Sequence, residues 1–227
     1  MRVLFADTAN LDEIKEAMSM GVIRGVTTNP SLISKEPKQN FDGLIKDLAR
    51  FCSDNQLSFS VEVFATEPDE MIKQAIKLVD ELSIVSSTLD LHIKIPIGVE
   101  EIKVIKTLSD KGIKVNCTCC FTAAQMQAAA LAGAKYVSIF YNRARDMKVD
   151  VNSAIMETSA FVINNSLDCE IIAGSIRKSQ DVTEAWAAGA DIVTCSFKTI
   201  KEMLQHEGTT KSIDGFMKDF SNWLNND

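Results

Sequence analysis

The sequence predicts an α/β fold in which eight strand–helix units close into a single-domain (β/α)8 TIM barrel with an extra C-terminal helix. Three observations predict it. Short apolar runs alternate with longer amphipathic stretches along the 227 residues, and strands joined by helices pair in parallel. Glycine recurs where a helix ends and a strand follows, at Gly21, Gly112, Gly133 and Gly189. Eight units in about 200 residues suit a small barrel of this kind.

The elements follow in order from periodicity and end signals. Strands are predicted at 2–6, 22–27, 58–64, 91–95, 113–119, 136–141, 169–175 and 190–194. Helices are predicted at 10–19, 41–54, 68–83, 99–110, 122–132, 148–164, 178–187 and 198–205. Asp12 and Glu13 fall in the first turns of the first helix, where negative charge suits the helix dipole. Pro30 is expected to open a further helix after the second strand.

A last helix at 211–225 has no place among the eight units. Its apolar residues recur at helical spacing: Ile213, Phe216, Met217, Phe220, Trp223 and Leu224. We therefore divide the chain into a barrel at 1–210 and a segment at 211–227 that covers the barrel or contacts a neighbouring subunit. A doubly wound open sheet is the alternative fold, but no G-x-G-x-x-G turn follows the first strand.

Composition excludes several classes of protein. A net charge of −7 argues against a nucleic-acid binder, which needs a basic face. Apolar runs too short to span a membrane and the lack of a signal-peptide pattern predict a cytoplasmic protein without membrane association. Strict alternation places Cys117 and Cys119 on one strand face and Cys120 on the other, so we expect buried thiols. The alternative for these cysteines is a metal site, which the spacing disfavours.

Polar residues lie at the ends of seven predicted strands. They are Asp7, Thr27, Thr28, Asn29, Glu62, Lys94, Asn116, Thr118, Ser138, Asn142, Arg143, Ser175 and Arg177. Barrel active sites lie at the carboxyl ends of the strands, so we expect these side chains to converge. The alternative is a set of unrelated caps and turns, in which Asp7 caps the first helix and Asn29 forms a turn with Pro30.

Lys94 is the centre of this set. In the strand Leu-His-Ile-Lys-Ile-Pro at 91–96, His92 and Lys94 share a face between isoleucines. Burial would favour the neutral amine, which is a nucleophile toward carbonyl groups. The alternative is a solvated edge-strand lysine. Asp7 and Glu62 supply carboxylates for proton transfer.

The remaining residue types indicate the substrate. Asn29 and Asn116 can hold hydroxyl groups, and Arg143, Ser175 and Arg177 come late in the chain, where barrels often bind phosphate. We therefore expect Schiff-base chemistry on a sugar phosphate. Such chemistry needs no metal and no cofactor, because the iminium is itself the electron sink.

Over nearly its whole length the chain resembles the transaldolase family, in particular the short microbial branch that also includes fructose-6-phosphate aldolases. The two most specific segments are Gly-Val-Thr-Thr-Asn-Pro-Ser-Leu-Ile at 25–33 and Ile-Lys-Ile-Pro at 93–96. Further matches are Ala-Asp-Thr at 6–8, Glu62, Asn-Cys-Thr at 116–118, the helix start at 121–125, Ser-Ile-Phe-Tyr-Asn-Arg at 138–143 and Gly-Ser-Ile-Arg at 174–177.

The resemblance implies a role for each residue. Lys94 would form the Schiff base, Glu62 and Thr118 would relay protons through a water, and Asp7 would act as acid–base. Asn29 and Asn116 would orient the dihydroxyacetone unit, and Thr28 and Phe140 would also bind the substrate. Four would hold the acceptor phosphate, namely Ser138, Arg143, Ser175 and Arg177.

Two positions separate the branches. Fructose-6-phosphate aldolases carry Gln where this chain has Glu62 and Tyr where it has Phe140, so the resemblance implies a transaldolase of the pentose phosphate pathway. It would move dihydroxyacetone from sedoheptulose 7-phosphate or fructose 6-phosphate to an aldose phosphate. The alternatives are a fructose-6-phosphate aldolase and a non-catalytic barrel that binds sugar phosphates.

Short members form rings of five, often stacked as decamers, which implies a homo-oligomer. His92 departs from the usual aliphatic residue and is expected to be a neutral core residue.

Overall fold

The structure, a computed structural model, describes residues 2–37 and 41–225 and confirms the predicted barrel. Eight strands follow one another around a closed sheet, and every neighbouring pair is parallel. They are β1 (Val3–Asp7), β2 (Ile23–Thr27), β3 (Ser58–Glu62), β4 (Leu91–Pro96), β5 (Val115–Cys120), β6 (Tyr136–Phe140), β7 (Glu170–Gly174) and β8 (Ile192–Cys195).

The helices surround this sheet. They are α1 (Leu11–Ser19), α2 (Pro30–Ile33), α3 (Phe41–Asp54), α4 (Pro68–Val85), α5 (Glu101–Asp110), α6 (Ala123–Leu131), α7 (Tyr141–Asp146), α8 (Val151–Asn164), α9 (Ser179–Ala188), α10 (Phe197–Met203) and α11 (Glu207–Leu224). The short helix α7 was not predicted, because residues 141–146 carry no capping signal and directly follow a strand. The expected helix start at Pro30 is confirmed, although α2 is a single turn.

Caps explain where two of these helices begin. The Oδ1 atom of Asn10 accepts hydrogen bonds from the backbone N–H groups of Asp12 (3.1 Å) and Glu13 (3.0 Å), so Asn10 caps α1. Asn29 caps α2 through a bond from the N–H of Leu32 at 3.0 Å. The alternative in which Asp7 caps the first helix is therefore wrong, and the Asp7 side chain is left for the barrel mouth.

Aromatic and aliphatic side chains close the amino-terminal end of the barrel interior. Phe5, Tyr136, Ile172 and Ile192 form a buried cluster there. A Cβ atom at Gly25 would lie 2.6 Å from the Phe5 ring, so the missing side chain at Gly25 makes room for that ring. His92 and Ser58 lie beside this floor, and the strand-end polar residues lie in the strand positions that follow it.

A bulge interrupts β5 and corrects the predicted cysteine faces. Cys117 pairs with Val137 and Cys120 with Ile139, so Thr118 and Cys119 together lie opposite a single residue of β6. Cys119 takes up the extra length with φ of +62°. As a result Cys117 and Cys120, not Cys117 and Cys119, share the buried outer face, with their Sγ atoms 3.7 Å apart. The prediction assumed strict alternation, which a bulge breaks.

The C-terminal helix α11 begins at Glu207, four residues before the predicted start at 211. None of its described side chains is buried. The apolar residues predicted to cover something are between 54% and 71% exposed. None of the described helices is long and apolar enough to cross a membrane.

Candidate active site

Lys94 and Glu62 meet at the carboxyl ends of β3 and β4, whose register pairs them directly. The Nζ atom of Lys94 lies 3.2 Å from Oε2 of Glu62 and donates a hydrogen bond of 2.8 Å to the backbone carbonyl of Thr28. Lys94 is only 6% exposed. The edge-strand alternative is therefore wrong, because the sheet has no free edge and this lysine is buried against a carboxylate.

Asp7 lies in the same mouth at the end of β1. Thr27 donates a hydrogen bond of 2.8 Å to Oδ1 of Asp7, and the Thr27 and Thr194 hydroxyl oxygens are 2.6 Å apart. Desolvation raises the pKa of Asp7 above its usual range, while the Lys94 charge and the Thr27 hydrogen bond act in the opposite direction. A carboxyl whose pKa is moved toward neutral pH is suited to acid–base catalysis.

Asn116 lies on β5 beside Lys94 and is held between two serines in the barrel interior. Its Nδ2 donates to Oγ of Ser60 at 3.2 Å, and Ser138 donates to its Oδ1 at 2.6 Å. These bonds fix which way the buried amide faces. The amide keeps one hydrogen and one lone pair for a ligand.

Thr28 and Asn29 each have a structural task. The Thr28 hydroxyl donates to the carbonyl of Ser60 at 3.1 Å, while the Thr28 carbonyl accepts from Lys94. Asn29 uses its Oδ1 to cap α2. Its Nδ2 is not part of that bond and can donate to a ligand. Thr28 therefore supports Lys94 rather than lining the cavity, and Asn29 both lines the cavity and fixes the loop after β2.

The cavity among the strand ends brings most of the predicted residues together. Eight of them line it: Asp7, Asn29, Lys94, Asn116, Thr118, Ser138, Phe140 and Ser175. Thr27, Gly174 and Thr194 also line it, and no catalytic or binding role was predicted for these three. The position of Thr27 in the cavity could have been predicted from strand register, because the pairing of β1 with β2 places Thr27 directly beside Asp7. Four predicted residues lie outside this lining: Thr28, Glu62, Arg143 and Arg177.

The two arginines lie on the exposed rim beyond β6 and β7. The Arg143 guanidinium lies 4.5 Å from the centre of the Phe140 ring. Arg177 makes a two-pronged contact with Asp146, in which Nη1 donates to Oδ1 at 2.9 Å and Nη2 donates to Oδ2. This contact lowers the pKa of Asp146 and raises that of Arg177. The structure thus leaves Arg143 stacked on the cavity wall and Arg177 tethered to α7.

His92 lies one step below Lys94 on the inner face of β4. Its ring stacks on Tyr136 with centroids 4.0 Å apart, and its Nδ1 lies 3.3 Å from Oγ of Ser58. Burial lowers the pKa of His92 to about 4, so the ring is neutral at neutral pH, as predicted. Within the described ranges its Nε2 has no hydrogen-bond partner.

The fold and the strand-end residues define a (β/α)8-barrel enzyme with a buried lysine–carboxylate pair at its mouth. Known proteins agree with this class. The family described as Transaldolase/Fructose-6-phosphate aldolase matches residues 4–226. A probable transaldolase of Clostridioides difficile (strain 630) is 42% identical over 216 residues, which cover 95% of each chain. Probable transaldolases of Syntrophobacter fumaroxidans (38% over 218 residues) and Brachyspira hyodysenteriae (40% over 216 residues) cover 95% of this chain and 95% and 96% of their own lengths.

The chain therefore belongs to the transaldolase/fructose-6-phosphate aldolase family. The predictions of the family, of the barrel fold and of an enzyme are confirmed.

Proposed function

We propose that this chain is a transaldolase that moves a dihydroxyacetone unit from a ketose phosphate to an aldose phosphate through a Schiff base on Lys94. Sedoheptulose 7-phosphate and fructose 6-phosphate are the proposed donors, as in the pentose phosphate pathway of the cytoplasm. The observation that carries the proposal is the buried contact of 3.2 Å between Lys94 and Glu62 in the mouth that also holds Asp7.

The contact suggests how the nucleophile forms. Lys94 must lose a proton before it attacks, and the Glu62 carboxylate is close enough to accept it. The free amine then adds to the ketose carbonyl carbon, and water leaves to give the iminium. Thr118, at the β5 bulge, and Glu62 would hold the water that receives and returns these protons.

Asp7 is the proposed acid–base of the carbon–carbon step. It would take the proton from the donor's C4 hydroxyl while the C3–C4 bond breaks and the electron pair moves into the enamine on Lys94. The aldose phosphate leaves, a second aldose phosphate enters, and the same steps run in reverse. The raised pKa of Asp7 supports this role, because the carboxyl must both accept and return a proton.

The substrate would be held along its length. Asn29 and Asn116 would bind hydroxyls of the dihydroxyacetone unit, while Ser138, Ser175, Arg143 and Arg177 would lie toward the phosphate. Arginine suits phosphate through its planar set of donors. For Arg177 to bind phosphate, its guanidinium would have to exchange the Asp146 carboxylate for the ligand.

Phe140 supports transfer over simple cleavage. It lines the cavity, and its ring packs edge-on to Phe121 with centroids 5.8 Å apart. A phenylalanine ring has no proton to give to the enamine, so the intermediate would survive until an aldose acceptor arrives. A tyrosine at this position could supply that proton and release free dihydroxyacetone.

A two-channel assay tests the proposal. Fructose 6-phosphate is given with or without erythrose 4-phosphate, and glyceraldehyde 3-phosphate and free dihydroxyacetone are both measured. We expect glyceraldehyde 3-phosphate to form beyond one molecule per active site only with the acceptor present, with little free dihydroxyacetone. Acceptor-independent release of dihydroxyacetone would favour the aldolase, and the absence of both products would favour the non-catalytic barrel.

A further inference from the structure

Asp181 is a buried carboxylate at the start of α9, outside the cavity lining. It is only 5% exposed. One of its oxygens, Oδ2, accepts three hydrogen bonds. Two come from the backbone N–H groups of Arg177 (3.1 Å) and Lys178 (2.9 Å), in the loop after β7. The third comes from Nδ2 of Asn142 on α7, the helix that follows β6, at 2.7 Å.

Asn142 also forms hydrogen bonds with Ser175. Its backbone N–H and its Nδ2 both donate to the carbonyl of Ser175, at 3.3 Å and 3.1 Å. Ser175 has φ of +59°, a backbone conformation that an L-residue adopts only when its surroundings hold it. Asp181 and Asn142 together therefore fix the loop from Ser175 to Lys178 against the first turn of α7.

We infer that Asp181 is a positioning residue that holds the loop after β7 and the first turn of α7 at the spacing a substrate phosphate requires. The first turn of α7 carries Arg143, and the loop carries Ser175 and Arg177. The inference rests on the proposed function, because it takes a sugar phosphate as the ligand. Hydrogen bonds to a carboxylate are stronger than those between neutral groups. One buried oxygen that accepts three of them therefore holds α7 and the loop after β7 together.

Helix capping alone does not account for Asp181. Capping α9 requires only the backbone N–H groups at its start, whereas the bond from Asn142 joins a different βα unit. Asp150 offers the contrast, since it caps α8 by accepting from the N–H and the hydroxyl of Ser153, at 3.1 Å and 2.8 Å. Asp150 therefore serves as a matched control for the loss of a capping aspartate.

Arg145 balances the charge of this junction. Its Nη1 lies 3.4 Å from Oδ1 of Asp181 and 3.2 Å from Oε2 of Glu184. The two Asp181 oxygens thus have separate tasks, with Oδ2 holding the loops and Oδ1 facing a cation. Because Arg145 faces this carboxylate, Asp181 can sit behind an anion site without simply repelling the anion.

The test compares Asp181→Ala with Asp150→Ala, using erythrose 4-phosphate and unphosphorylated erythrose as acceptors. For Asp181→Ala we expect KM for erythrose 4-phosphate to rise about tenfold or more, while kcat and the KM for erythrose stay within about threefold. Asn142→Ala should give the same split, because it cuts the same link. Inorganic phosphate, whose binding is measured directly by calorimetry and needs no turnover, should also bind Asp181→Ala more weakly than the parent enzyme.

Three outcomes are separable. An Asp181→Ala enzyme that keeps the parent ratio of the two KM values, or changes it no more than Asp150→Ala does, overturns the positioning role. A parent enzyme without transfer activity overturns the proposed function instead, and the phosphate-binding comparison then decides the role of Asp181. If Asp181→Ala does not fold, Asn142→Ala, which removes the bond from α7 but leaves the bonds of Asp181 to Arg177 and Lys178 in place, decides by the same ratio.

Discussion

The side chain of Lys94 is surrounded by groups that suit the proposed Schiff-base chemistry. On an open sheet a strand lysine reaches water, but here its Nζ atom lies between a carboxylate and a backbone carbonyl inside a closed barrel. A buried ion pair adds little net stability, while removal of one partner leaves an uncompensated charge. We therefore propose that the Lys94–Glu62 contact serves proton transfer and not stability.

Burial has the largest effect on the pKa of Asp7 and raises it, while Lys94 and Thr27 lower it. The hydrogen bond from Thr27 favours the ionised carboxylate and so lowers the pKa of Asp7. In Thr27→Val that contribution is lost, the pKa of Asp7 rises further, and a larger fraction of Asp7 is protonated at a given pH. The acid limb of the pH profile of kcat/KM should therefore move to higher pH.

The control for this profile is Thr194→Val. It removes the hydroxyl that contacts Thr27 but keeps the bond from Thr27 to Asp7. We expect a smaller displacement of the acid limb in this variant. Equal displacement in both variants, or movement to lower pH in Thr27→Val, would show that another group controls that limb.

Glu62 and Phe140 are expected to decide the fate of the enamine. The double variant Glu62→Gln, Phe140→Tyr should release more free dihydroxyacetone per molecule of fructose 6-phosphate, because the new hydroxyl can donate a proton inside the cavity. The measurement is the ratio of free dihydroxyacetone to transferred product, with Phe121→Tyr as a control for an added hydroxyl on the neighbouring ring. An unchanged ratio would mean that these two side chains do not separate transfer from cleavage.

The strand-end residues were predictable because barrel geometry brings the carboxyl ends of all strands together. Asp7, Lys94 and Asn116 could thus be placed at the barrel mouth from alternation and strand ends, while their roles stay predictions. Thr194 and Asp181 could not. The role of Thr194 depends on the distance between two hydroxyls across the barrel, and that of Asp181 on a contact between separate βα loops. Neither relation leaves a periodic signal in the sequence.

The strands and helices were predictable to within a few residues, and the exceptions have local causes. Helix α7 follows β6 directly, with no side-chain cap at its start. The bulge in β5 shifts every later side chain of that strand by one face, which a period of two residues cannot indicate. These irregular elements carry Arg143 and Thr118, so the sequence was least informative where the proposed site departs from regular barrel geometry.

We predict opposite effects on the free energy of unfolding when Gly25 and Gly43 are each replaced by alanine. Gly25→Ala places a methyl group 2.6 Å from the buried Phe5 ring and should lower the free energy of unfolding by about 1–3 kcal/mol. Gly43→Ala, in α3, should raise it by up to about 1 kcal/mol, because beyond the adjoining helix backbone no atom of the described residues lies within 4 Å of the added carbon.

Urea unfolding at one protein concentration measures both changes. Adding Phe5→Leu to Gly25→Ala should recover part of the loss, because the smaller side chain vacates the contact. If Gly25→Ala has no effect on stability, the close packing of β1 against β2 at the barrel floor is not as described.

The whole molecule presents an apolar helix face that its own barrel leaves uncovered. Six large apolar side chains of α11 are each more than half exposed, and Phe220 stacks on Trp223. Burying each would contribute roughly 1.5–3 kcal/mol, and exposed patches of this kind usually mark a protein contact. We propose that α11 contacts a neighbouring copy in a homo-oligomer, a pentamer or a decamer.

Deletion of residues 207–227 should lower the molecular mass measured by light scattering to that of a smaller assembly. The double variant Phe216→Ser, Phe220→Ser should do the same, because it removes apolar surface but keeps the helix. Lys218→Ser, Asp219→Ser on the same helix is the control and should keep the parent mass. An unchanged mass after the deletion would show that α11 does not build the oligomer.

Borohydride trapping tests the Schiff base itself. The enzyme is reduced in the presence of fructose 6-phosphate, digested, and mapped by mass spectrometry, beside a sample without sugar and beside Lys94→Arg. We predict a sugar-derived adduct on Lys94 alone, which is absent from both controls, because arginine cannot become a neutral amine in a protein. An adduct on a different lysine, or substantial turnover by Lys94→Arg, would contradict the proposed mechanism.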